Sequence, residues 1–120
     1  LFVVSKGNNI LETKQQKIEE VGKAVLDEIS QNSDYRNVIL SIDREKEIFQ
    51  DSGIGFGEIW KTVNDRILDT LEFRIKVCNL ESICSLDNYP EKDVYTRSVA
   101  ITSNLEIYRH KQFKIWIWEK

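Results

Sequence analysis

The sequence has no methionine and little histidine, proline or glycine: one His, one Pro and five Gly among 120 residues. So little proline and glycine excludes collagen-like and low-complexity chains. One imidazole and two thiols cannot provide the paired Cys and His ligands of a structural zinc site, so we expect neither a metal nor a cofactor. No apolar run approaches the roughly twenty residues that a membrane-spanning helix needs.

Positive charge is not in excess either. Seventeen basic residues stand against twenty acidic ones, which gives a formal net charge of -3. A nucleic-acid-binding surface normally requires a basic surplus, so nucleic acid is not an expected partner. The charges are also mixed along the chain, as in residues 43–47, which is typical of a solvated surface.

What the sequence does contain is a core. It is 41% apolar and 31% charged, the composition of a globular protein, and a chain of this length can bury a core without stabilising metals. We expect a single domain over residues 10–120. Residues 1–9 open with four apolar residues, Leu1 to Val4, and no initiating methionine. We interpret them as the end of a truncated membrane or leader segment, with a disordered terminus or a short strand as alternatives.

Helical periodicity dominates the first half of the chain. Apolar residues three, four and seven positions apart predict a long amphipathic N-terminal helix over about Leu11–Ser30, whose first half carries few apolar residues. Residues 35–40 predict a short helix after a possible cap at Ser33-Asp34. Another apolar helix face runs from Phe56 to about Thr70.

The periodicity changes to two in the second half. Strands are predicted over Phe73–Val77, Val94–Ser103 and Phe113–Trp118, with a polar loop over Ser85–Asp93. Strands that follow one another without intervening helices favour an antiparallel sheet. The predicted fold is therefore α+β, with the long helix and a second helix packed on one face of a three- to four-stranded antiparallel sheet.

Two cysteines, Cys78 and Cys84, are six positions apart at the end of the first predicted strand. This spacing allows them to close a small loop. Two interpretations stay open: a local disulfide in an oxidising compartment, or two free thiols in the cytosol.

Trp116 and Trp118 alternate with apolar residues in the last predicted strand, so they lie on the sheet face opposite to that of Ile115 and Ile117. They form either an exposed contact surface or a cluster packed under the loop of residues 85–93.

Motifs that could carry catalysis are weak. Gly53–Gly57 lacks the Lys-Ser/Thr of a phosphate-binding loop and indicates a flexible connector. His110, between Arg109 and Lys111, has no adjacent carboxylate to orient it and is typical of a surface turn. No serine or cysteine has a catalytic signature around it, so no catalytic residue is assigned.

The layout resembles that of type IV pilin-like proteins, particularly archaeal ones: an apolar start, a long amphipathic helix, and then an antiparallel sheet with a small Cys-closed loop. The resemblance rests on the following segments: Val77–Leu80, Cys84, Leu86, Tyr89-Pro90, Asp93–Tyr95, Val99–Leu105 and Phe113–Trp118. It implies an N-terminal hydrophobic helix that anchors the precursor in the membrane and later packs in a filament core. The processing site and that hydrophobic helix are not found in this sequence.

These observations favour a non-enzymatic, extracytoplasmic domain of a membrane-anchored, pilin-like or other cell-surface structural subunit. Its membrane attachment would lie in a missing N-terminal segment. Its partners would be proteins or further copies of itself, with Cys78 and Cys84 closing a loop and Trp116 and Trp118 as the contact surface. The alternatives are a ligand-binding or sensor domain of a membrane protein, with a pocket between helices and sheet, and a small cytosolic enzyme or regulatory subunit.

Overall fold

The structure is a computed structural model that describes the backbone of residues 2–102 and 110–120, and side chains from residue 15 onward within those ranges. It contains three helices and four strands in these ranges: α1 (Phe2–Gln31), α2 (Ser33–Leu40), β1 (Lys46–Ile48), α3 (Phe56–Arg66), β2 (Leu71–Asn79), β3 (Tyr95–Ile101) and β4 (Lys111–Glu119). The C-terminal end of the predicted strand, Ser103, and the predicted turn residue Arg109 lie outside the described residues, as does Leu1.

The strands form one antiparallel sheet in the order β1-β2-β4-β3. β4 lies between β2 and β3, with Ile115 opposite Ile75 on one side and Arg97 on the other. This confirms the predicted α+β fold. β1 was not predicted, because it is only three residues long and lies in a charged stretch without a clear apolar alternation.

The main core lies between the helices and one face of the sheet. All three helices contribute buried residues, and they pack on alternate residues of β2 and β4 such as Ile75, Phe113 and Ile117, which have no exposed surface. The alternation seen in the sequence therefore identified the helix-facing side of each strand. Burial of this apolar surface is the main source of the fold's stability.

Helix α1 is longer than predicted: it begins at Phe2, whereas the periodicity placed its start near Leu11. The sequence of residues 2–9 lacks the apolar spacing of an amphipathic helix, although the backbone there is helical. Among the described side chains of α1, those in the core begin at Ile18. Gly22 allows close approach, since a Cβ there would lie 3.3 Å from the ring of Tyr95 and 3.4 Å from Ile117. None of the described helices is apolar over a length sufficient to cross a bilayer.

The ends of α2 and α3 differ from prediction. The cap of α2 is Asn32, whose side chain accepts hydrogen bonds from the backbone N–H groups of Asp34 and Tyr35. Helix α3 stops at Arg66 rather than Thr70, because Ile67 takes an extended conformation. Ile67 and Leu71 are both buried all the same, so a turn continues the apolar spacing that had indicated a helix.

Candidate functional site

The two cysteines form a disulfide. Cys78 lies in β2, Cys84 lies in the loop that follows, and their Cα atoms are 5.8 Å apart. Both residues are buried, with 1% and 3% of their surface exposed. The bridge closes residues 78–84, which we call the disulfide loop. Of the two open interpretations, the structure has the local disulfide.

Trp116 and Trp118 do not form an exposed surface. Their exposed fractions are 1% and 9%, and they pack in a second apolar cluster with the disulfide, Leu86 and Val94. The predicted contact surface is therefore corrected: both indoles lie on the sheet face opposite the helices, as the alternation indicated, but the loop after the disulfide covers them. Two large apolar rings gain more from burial beneath that loop than from contact with water.

A row of side-chain donors on the same sheet face holds in place the whole segment between β2 and β3, residues 80–94, which we call the covering loop and which includes most of the disulfide loop. The side-chain nitrogens involved come from alternate residues of β2 and β4 and donate to successive backbone carbonyls. The donor-to-acceptor pairs are Gln112 to Asn79 and Ser82, at 3.1 and 2.8 Å, Lys114 to Cys84 at 2.8 Å, Lys76 to Ser85 at 2.7 Å, and Arg74 to Asn88 at 2.8 Å. Apart from Asn79, the last residue of β2, the acceptor residues lie outside regular secondary structure, so these donors satisfy carbonyls that have no ladder partner.

This arrangement also resolves an electrostatic conflict in the sheet. Lys76 and Lys114 are direct cross-strand partners, and like charges at such positions repel each other. Each ammonium group faces a carbonyl of the covering loop, and Lys76 also lies 3.7 Å from Glu45. The carbonyl dipoles and the Glu45 carboxylate therefore offset the repulsion between the two ammonium groups. The same hydrogen bonds order the covering loop, so the loop and the two lysines stabilise each other.

Arg74 ties β1 to the same region. It donates to both carboxylate oxygens of Glu47, at 2.6 and 2.5 Å, in a two-pronged ion pair. This hydrogen bonding, together with the negative charge of Glu47, raises the pKa of Arg74 above its already high ordinary value, against the opposing effect of partial burial. The guanidinium group therefore remains charged and links the short edge strand to the covering loop.

The disulfide loop presents two apolar side chains to solvent. Ile83 has 92% of its surface exposed and Leu80 has 39%. The backbone that carries them is fixed by the disulfide, by Gln112 and by a hydrogen bond from the Leu80 N–H to the His110 carbonyl at 3.2 Å. Sequence reasoning missed this pair, although an isoleucine between two closely spaced cysteines was a signal that could have indicated it.

The other sequence-derived candidates have structural roles. Gly53 and Gly55 both have positive φ, at 107° and 86°, and form the turn before α3. That turn leaves Ile54 96% exposed, beside an open surface groove that also borders Trp60. Within residues 15–102 and 110–120, no group of three or more metal-ligating side chains comes together.

A second groove, of about 800 Å³, lies between α1 and the start of β3. It is bordered by apolar atoms of Ile18, Tyr95 and Ile117 and by charged residues at its rim, including Glu19 and Lys92. It lies at the margin of the helix–sheet interface, whose interior is filled by the core.

No protein-family model, curated protein or solved structure matches the chain.

Proposed function

We propose that this chain is the extracytoplasmic, non-enzymatic domain of a membrane-anchored, pilin-like or other cell-surface structural subunit, and that it contacts neighbouring protein subunits through Leu80 and Ile83. The observation that carries the proposal is the disulfide loop, which exposes two apolar side chains on a rigid backbone. An exposed isoleucine contributes little to the folding stability of the isolated domain. If a partner covers it, its burial contributes about 1.5–3 kcal/mol to the free energy of binding.

Rigidity supports a contact role. A loop that is already ordered loses little conformational entropy when it binds, so more of the contact energy appears as affinity. The disulfide and the donors Gln112 and Lys114 provide that order. The long helix α1, packed on the sheet only from Ile18 onward among its described side chains, is compatible with a pilin-like layout.

The disulfide also supports the proposed location. Structural disulfides form and persist outside the reducing cytosol, with intracellular proteins of hyperthermophiles as an exception. Location is tested by labelling intact cells of the source organism with a membrane-impermeant amine reagent. We expect the protein to be labelled before lysis and its two cysteines to resist alkylation after acid quenching. Labelling only after lysis, or two alkylatable thiols, would overturn the proposed location.

The contact role is tested by Ile83→Asp, with Ile54→Asp as the matched control, because both isoleucines are almost fully exposed but lie on different parts of the surface. Both variants are expected to keep the thermal midpoint of the parent, since exposed side chains contribute little to folding. Only Ile83→Asp should reduce recovery of the protein in cross-linked surface assemblies. Equal recovery of the two variants would overturn the assignment of the disulfide loop.

The groove beside Tyr95 favours a ligand-binding domain as a second candidate, because its apolar walls and charged rim are typical of a site for a small amphipathic molecule. Native mass spectrometry of freshly isolated protein separates the two functions. A bound small molecule that is lost in Ile18→Asp would support the second candidate, and a ligand-free spectrum would count against it.

A further inference from the structure

Strand β3 is an open edge of the sheet. It pairs with β4 on one side, and four of its seven residues, Thr96, Arg97, Ser98 and Ala100, are exposed. Among the described residues, no backbone hydrogen bond outside the β3–β4 ladder involves residues 95–101. Within the described part of the chain, the outward N–H and C=O groups of β3 therefore have no protein partner. A second extended strand could satisfy all of them by pairing along this edge.

The two edges of the sheet are treated differently. On the far side, β1 is only three residues long, carries Lys46 and Glu47, and is tied down by the Glu47–Arg74 ion pair. Short, charged edges are a common device against unwanted pairing. Strand β3 has fewer of these protections: it is seven residues long, Arg97 is its one charged residue, and it contains no proline or lysine. Its register with β4 is continuous from Tyr95 to Ile101, without a bulge.

The order of side chains along β3 is self-complementary. In an antiparallel pair of two β3 strands centred on Ser98, Thr96 lies opposite Ala100 of the other copy, and Tyr95 lies opposite Ile101. Arg97 faces Val99, so no like charges are directly opposed, as they would be in a register centred on Arg97.

We propose that β3 pairs with β3 of a second copy of this chain, in the antiparallel register centred on Ser98, to give a symmetric dimer with a continuous eight-stranded sheet. The seven residue pairs alternate between hydrogen-bonded and non-bonded positions, so the contact adds about six to eight backbone hydrogen bonds. Each sheet face continues across the dimer axis, so the helices of both copies lie on the same side. This inference does not rest on the proposed function, and it uses a different surface from Leu80 and Ile83.

Engineered disulfides test the register. In this dimer the two Ser98 Cα atoms face each other at about 4.5–5.5 Å, within the roughly 4.4–6.8 Å that a disulfide spans. Two Thr96 residues are offset by four positions, roughly 13 Å along the strand. Mild oxidation of Ser98→Cys should therefore give a covalent dimer, and Thr96→Cys should not. An equimolar mixture of Thr96→Cys and Ala100→Cys should cross-link again. Equal yields from Ser98→Cys and Thr96→Cys, or none from the mixture, would overturn the register.

Sedimentation equilibrium of the full chain tests the dimer without cross-linking. Ser98→Glu places two carboxylates on the dimer axis, whereas within one copy the introduced carboxylate faces Lys114, so the fold is retained. We expect at least a tenfold higher dissociation constant than for the parent, and no change for Ala24→Glu, an exposed control on α1. Ile83→Asp should dimerise normally, which keeps this test separate from that of the proposed function. A parent protein that stays monomeric up to about 1 mM would overturn the proposal.

Discussion

Removing the disulfide should destabilise the protein by a predictable amount. The bridge spans a sequence separation of 6, and the chain-entropy relation for a loop of that size gives about 2.3 kcal/mol at 25 °C. Cys78→Ala/Cys84→Ala is the appropriate variant, because serine would place hydroxyl groups where both side chains are buried. The expected loss is about 2–3 kcal/mol, or about 9 °C in the thermal midpoint for a chain of this size.

Urea unfolding followed by tryptophan fluorescence measures this loss. Three tryptophans are present, and Trp116 is buried against the disulfide, so its emission reports on the covering loop. For a slope of about 1.5 kcal/mol per molar, the midpoint should fall by about 1.5 M. Reduced parent protein serves as the control and should agree with the alanine variant within about 1 kcal/mol. A loss below about 0.5 kcal/mol would refute the chain-entropy reasoning and show that the donor row alone orders the loop.

Three further outcomes follow from particular contacts. Trp116→Ala should lower the free energy of unfolding in urea by about 3–5 kcal/mol, because the indole is buried. Ile83→Ala should change it by less than about 0.5 kcal/mol. The reverse order would contradict the buried position of Trp116. Gly55→Ala should lower the thermal midpoint more than Gly53→Ala. Both glycines have positive φ, but only at Gly55 would a Cβ lie 2.8 Å from the side chain of Val38. Equal decreases in the midpoint would argue against this close contact. Tyr35→Phe removes a 2.7 Å hydroxyl–hydroxyl hydrogen bond to Thr62 that links α2 to α3. This should lower the free energy of unfolding by about 1 kcal/mol. Thr62→Val should give a similar decrease, and the double variant should lose little more than either single variant.

The architecture could be predicted because its main strands bury one face. The alternation in Phe73–Val77 and Phe113–Trp118 reports a physical requirement, since every second residue faces the helices. Strand β1 could not be predicted: three residues hold no period, and its position depends on pairing with β2 and on the Glu47–Arg74 ion pair. The predicted end of α3 was wrong for a related reason. Ile67 is extended and lies beyond the helix, but it is buried as a helical residue would be, so the apolar spacing did not show where the helix ends.

The candidate site was harder to predict. The sequence showed that Trp116 and Trp118 share the face opposite the helices, but an exposed indole and one covered by a loop have the same pattern. The deciding contacts are long-range: Lys114 reaches the Cys84 carbonyl and Gln112 the Ser82 carbonyl, in each case across thirty positions of sequence. A local pattern does not contain such pairings, so it could not show that Ile83, rather than an indole, faces the solvent.

The position of β4 has a consequence for synthesis on the ribosome. β2 and β3 do not pair with each other; each pairs with β4, which follows both of them in the sequence. During translation both strands therefore emerge without their principal partner, and most of the sheet assembles only after residues 111–119 have been made. Unpaired strands in this interval are prone to aggregation, so the nascent chain is most vulnerable just before β4 is available to pair with β2 and β3.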